Sequence, residues 1–111
     1  MADGGEDSGA PPCNVPPRRA TWILGRAVAV RRVGASVLAY HEKSGDTHWL
    51  GEPADGVMEW LARRGPRGSA YPELLRGVAA PLGVAPADVD GEVAETLEQL
   101  WASHLVRRDG R

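Results

Sequence analysis

The chain has 111 residues, 42% hydrophobic and 25% charged, which matches the roughly 100–200 residues of one domain and leaves no room for a large two-domain enzyme. Its net charge of −2 opposes purely electrostatic attraction to nucleic acid or an anionic membrane, and no apolar run approaches the about 20 residues needed to span a bilayer. The single cysteine, Cys13, supplies neither an intramolecular disulfide nor a thiolate metal cage, so a cytoplasmic location is expected.

Residues 1–19 combine Asp3, Glu6 and Asp7 with glycines and prolines. They lack the basic and apolar regions of a signal peptide and bury too little apolar area to offset chain ordering, which predicts a disordered tail. Trp22, Ile23 and Leu24 form the first concentrated apolar group, and a domain is expected over 20–107, followed by a disordered polar tail at 108–111. From Ala27 to Leu50 the pattern is β. AVAVRRV is closed by Gly34, SVLAYHE by the Ser44-Gly45-Asp46 turn, and Thr47-His48-Trp49-Leu50 by Gly51. These three runs predict an antiparallel meander with one face needing a cover.

Three helices are predicted to supply the cover. The first, about 53–64, carries Val57, Met58, Trp60 and Leu61, with Pro53 in its first turn and Gly65-Pro66 as its stop. The second, about 71–81, carries Leu74, Leu75, Val78 and Ala79 and halts at Pro81 or Gly83. The third, about 86–104, places Val89, Val93, Leu97, Leu100, Trp101 and His104 on one stripe. Three strands followed by three helices describe an α+β, winged-helix-like domain.

Residue chemistry points away from catalysis. His48 beside Asp46 and Thr47, with His41 on the previous strand, lacks third and fourth metal ligands and reads as a half-buried strand histidine bonded to backbone or to Thr47. Ser44 belongs to a turn, and neither it nor Cys13 has a paired base. No phosphate loop, metal-ligand set or catalytic dyad is present, so neither an enzyme nor a cofactor is expected. Trp60 and Trp101 read as core. The arginine pairs 18–19, 31–32, 63–64 and 107–108 read as solvated charge at element ends.

The run Ser44-Gly45-Asp46-Thr47-His48-Trp49-Leu50, then Pro53-Ala54-Asp55 before Val57, Trp60 and Leu61, and finally Val93, Leu97, Leu100 and Leu105-Val106, resembles the PqqD-like family of peptide chaperones, the recognition elements for ribosomally made precursor peptides. Within it, the SG-x-TH-x-L run after an N-terminal tryptophan is similar to the bacterial branch called the HPr-rel-A system. The resemblance spans about residues 21–107. It implies a non-enzymatic adaptor that holds a leader or precursor peptide as an added strand and presents it to a modifying enzyme or an HPr-kinase-like protein. The implied site has Thr47, His48, Trp49 and Leu50 on one wall and Val93, Glu95, Leu97, Glu98 and Trp101 on the other. Trp49 is bulkier than the aliphatic residue expected at its position. An acidic helix wall further implies lysine or arginine in the bound segment. The alternative, a winged helix-turn-helix DNA-binding regulator, needs a basic third helix, whereas this one carries Asp88, Asp90, Glu92, Glu95 and Glu98 with no basic residue before Arg107.

Overall fold

The computed structural model describes residues 16–109. Cys13 and most of the predicted N-terminal tail lie outside the described residues, as do positions 110–111. In chain order the elements are β1 (Thr21–Leu24), β2 (Val28–Val33), β3 (Ser36–His41), β4 (Thr47–Leu50), α1 (Ala54–Arg64), β5 (Ser69–Ala70), α2 (Tyr71–Leu82), α3 (Pro86–Ala102) and β6 (Val106–Asp109). The expected meander and the three helices are present. Gly34 and Gly45 turn the meander at φ 63° and 82°, a region open to glycine and costly for β-branched residues. Pro81 lies inside α2, and it is Gly83, left-handed at φ 73°, that ends the helix.

The sequence reading missed a second sheet. β1 is its central strand, pairing antiparallel with β5 on one side and β6 on the other, so Thr21 to Leu24 lie opposite Asp109 to Val106. Arg108 and Asp109, read as tail, therefore belong to a strand. The lower boundary also moves. Pro17–Arg19 form a short 3-10 turn, where the Pro17 carbonyl accepts the Trp22 indole N–H at 2.9 Å and Arg18 pairs with Asp90 at 3.0 Å.

One core serves both sheets. Trp22, Val37, Val57, Met58, Leu61, Leu74, Val93, Leu97 and Leu105 are fully or almost fully buried, with α1 and α2 packed on each other and α1 on the meander. The predicted His104 position on the α3 stripe is corrected, because the helix ends at Ala102 and His104 is left-handed at φ 63°. The Leu105 N–H returns to the Leu100 carbonyl at 2.9 Å and the His104 N–H to that of Trp101 at 3.0 Å. This closure satisfies the last helical carbonyls and turns the chain into β6.

Polar groups tie the layers. The Tyr71 hydroxyl donates to the Asp90 carboxylate at 2.5 Å. Burial, reinforced by that bond, pushes the Tyr71 hydroxyl up, while hydrogen bonds from Arg18 and then Tyr71 hold the Asp90 carboxyl below the usual range. Arg32 on β2 reaches Asp55 at 3.1 Å and Glu59 at 2.5 Å on α1.

Candidate functional site

The meander has β3 in the middle and β4 at one edge. Two bonds fix which way the backbone groups point. The His41 N–H donates to the Asp46 carbonyl at 2.9 Å, and the Glu42 N–H donates to the Ala27 carbonyl at 2.8 Å. Bonded pairs alternate along an antiparallel ladder. In this register, Ala39–His48 and Val37–Leu50 are therefore the bonded pairs between β3 and β4. The N–H and C=O of Thr47 and Trp49 consequently point out of the sheet at an edge that pairs with no other strand among the described residues.

Side chains alternate as the pleat requires. His48 and Leu50 face inward and are half-buried, with Leu50 packed against the core, while Thr47 and Trp49 face out. Trp49 is 64% exposed. It neighbours Leu38 across the strand pair, and Thr47 neighbours Tyr40, so the outer face of the sheet carries an aromatic and aliphatic strip. Trp22 does not cover this face, since it is fully buried in the other sheet.

His48 bonds neither the Thr47 hydroxyl, which donates to the Gly45 carbonyl at 3.1 Å, nor a metal-like cluster. Its ring meets that of His41 edge-on, with centroids 6.2 Å apart. His41 Nε2 lies 3.1 Å from the Ser103 carbonyl, and an N–H there binds β3 to the C-terminal tip of α3. Among the described residues no group of three His, Cys, Asp or Glu side chains stands together, and no helix is long and apolar enough to cross a membrane. Ser44 plays the expected turn role, accepting the Asp46 N–H at 3.2 Å.

The structure divides the predicted helix residues among different tasks. Val93 and Leu97 are 0% exposed core residues and present no surface. Glu95 is exposed. Glu98 is held by Arg108 at 2.8 Å, so its charge is already answered within the chain. Trp101 is half-buried and stacks on the Arg108 guanidinium, 4.3 Å from its ring centroid, while Trp22 lies 5.1 Å away on the same group. The Arg108 side chain is only 4% exposed, a correction to its reading as solvated charge. Arg32 and Arg64 are likewise engaged, Arg64 with the Gly68 carbonyl, Glu73 and the Trp60 ring.

Between the α3 tip, the turn after β1 and β6 lies a cavity of about 660 Å³, lined by Arg26, His41, Trp101, His104, Arg107 and Arg108 together with small and aliphatic neighbours. None of its lining residues is acidic. No β4 residue lines it; its His41 ring meets the His48 ring of β4. The cavity has no signal in the sequence, because one wall is β6, whose Val-Arg-Arg-Asp run carries a single apolar residue. The exposed side of α3 carries Asp88, Glu92 and Glu95, carboxylates that repel phosphate.

No family model matches the chain, and no curated protein matches it. Among solved structures, TbiB1 in complex with the TbiA(beta) leader peptide is similar, with a TM-score of 0.60 and 16% identity over 77% of this chain and 94% of that one. The likeness is one of fold, and it agrees with the α+β architecture expected from the strand and helix pattern.

Proposed function

We propose that the chain is a non-enzymatic adaptor that takes a leader or precursor peptide as an added strand on β4 and presents it to a modifying enzyme. The free β4 edge carries this reading. Outward N–H and C=O groups at Thr47 and Trp49 sit beside an exposed indole, and a partner strand satisfies such groups while its alternate side chains fill pockets. TbiB1, similar in fold, was solved holding a leader peptide, which supports a peptide as the occupant. On this reading Thr47, His48, Trp49 and Leu50 contact the peptide as the strand wall and Glu95, Glu98 and Trp101 would contact it from α3, while Val93 and Leu97, being buried, act only through the core. Holding the substrate raises its effective concentration at the enzyme and requires no cofactor from this chain. The family resemblance adds an HPr-kinase-like protein as a further partner, and the single cysteine favours the cytoplasm as the compartment.

The test is a titration of the full chain with the leader of the precursor peptide encoded beside its gene, read by amide chemical shifts. Shifts are expected at Thr47–Leu50 and at the α3 tip. Trp49→Pro removes an outward N–H and leaves the bonds to β3 intact, so it abolishes binding without unfolding the sheet. Trp49→Ala keeps the ladder and weakens binding by about 1–3 kcal/mol. Saturable binding that ignores Trp49→Pro, or none at millimolar peptide, refutes strand addition.

A further inference from the structure

The cavity at the α3 tip has a charge that the rest of the chain does not. The chain has a net charge of −2, yet Arg26, Arg107 and Arg108 meet in one cavity with His41 and His104 and no lining carboxylate. Arg108 is spent on Glu98 and the two indoles. Arg26 and Arg107 are exposed and make no ion pair among the described residues. The C-terminal dipole of α3 amounts to about half a negative charge, too little to balance two guanidiniums. Trp101 and Val106 give the cavity an apolar floor, which suits the methylenes behind a carboxylate. Among the described residues the two non-glycine residues with positive φ are His104, at 63°, which lines this cavity, and Ala27, at 56°, which follows its Arg26, so the backbone is held there in a sparsely populated region.

We propose that this cavity is a second anchor of the same site and receives an acidic side chain, Asp or Glu, of the peptide added to β4. The assignment rests on the strand-addition reading and gives it a sequence preference. It also reverses the preference implied by an acidic helix wall, because Glu98 is held by Arg108 and the cavity lining carries arginines and no carboxylate. Guanidinium and carboxylate pair through short, charge-assisted hydrogen bonds, and the methylene stem lies against the Trp101 ring. His41 lines the cavity and its backbone N–H donates to the carbonyl of Asp46, the residue before Thr47, so the anchor serves the part of the peptide that passes the Thr47 end of β4.

The experiment uses a phage-displayed library of random dodecapeptides with no free carboxyl terminus, selected on the immobilised full chain. Synthetic amidated versions of the selected peptides are then titrated by fluorescence anisotropy. Selected peptides are expected to be enriched in Asp or Glu, to lose about tenfold in affinity when that residue becomes its amide, and to weaken as salt rises. Arg26→Glu with Arg107→Glu should reverse the selection toward Lys or Arg, while Arg26→Gln with Arg107→Gln, a milder pair, should abolish the acidic preference. Peptides that require the Trp49 N–H, being lost with Trp49→Pro, yet show no acidic preference or bind both arginine double variants unchanged, overturn the anchor and leave strand addition standing. A selection yielding no peptides, or only peptides indifferent to Trp49→Pro, overturns strand addition and the anchor with it.

Discussion

Arg108 is the residue whose removal most directly tests how the second sheet is held. Its guanidinium lies between Trp22 at 5.1 Å and Trp101 at 4.3 Å and pairs with both oxygens of Glu98, at 3.2 and 2.8 Å. A cation against an indole contributes about 0.5–2 kcal/mol, more when desolvated. The Glu98 pair adds less than about 1 kcal/mol, because the glutamate is 45% exposed and screened. Truncation also strips the stem that covers the rings. Arg108→Ala is therefore expected to cost about 2–4 kcal/mol in a urea titration. Arg108→Lys, which keeps the charge but loses the planar stack, should cost roughly half as much. Amide exchange localises the effect: Ile23 and Leu24, opposite Arg107 and Val106, should lose protection before the meander does. A cost below about 0.5 kcal/mol, or uniform loss of protection, would refute the claim that this stack clamps β6 to β1.

The remaining predictions concern packing and acid stability. A Cβ on Gly77 would stand 2.5 Å from Trp60 Cε3, so Gly77→Ala, despite its better helix propensity, should cost about 1–3 kcal/mol by denaturant midpoint. Leu97→Ala, at a fully buried position, should cost about 2–5 kcal/mol, and Glu95→Ala under about 0.5 kcal/mol; the reverse order would mean the wrong face of α3 is buried. The Asp90 carboxyl is held below its ordinary range by Arg18 and then Tyr71, so its contribution is present above about pH 4 and is lost as pH falls through the lowered folded value. Asp90→Asn should flatten the acid limb of a stability–pH curve below about pH 4, and an unchanged limb would show that another carboxylate sets it.

Local signals made the meander and the helices legible. Glycine turns separate the strands, and apolar residues at helical spacing mark α1, α2 and α3. The second sheet has no such signal. β5 is two residues long, and Val106–Asp109 reads as two arginines and an aspartate after one valine. Its alternation becomes visible only once Arg108 is counted as an inward residue, and that requires knowing that Trp22 and Trp101 converge on it from distant positions. The arginine doublets share this ambiguity. Arg18, Arg32, Arg64 and Arg108 are engaged in ion pairs, whereas Arg19, Arg31 and Arg107 are not. Composition cannot separate the members of a pair, because the choice depends on which carboxylate or ring the fold brings near. Along β4 the inward and outward alternation was readable from period two. The helix wall was only partly so, since a stripe that marks a buried face marks it equally for core and for groove, and Val93 and Leu97 belong to core.

The short β4 edge limits what strand addition alone can supply. Thr47 and Trp49 each present one outward N–H and one outward C=O, and a net contribution of about 0.5–1.5 kcal/mol per hydrogen bond gives at most about 6 kcal/mol. Losing translational and rotational freedom costs about 4 kcal/mol or more, so the backbone ladder alone leaves affinity well short of the about −8 kcal/mol of a micromolar complex. Side chains must supply the difference. Two features can supply it: the exposed Trp49 ring on the outer face, and, on the proposed anchor, the cationic cavity lined by His41 on the inner one. Alternate residues of an added strand point to opposite faces, so one peptide can engage both only if its apolar and acidic anchors are an odd number of residues apart. The ladder therefore sets register and direction, while the two anchors on opposite faces select the sequence.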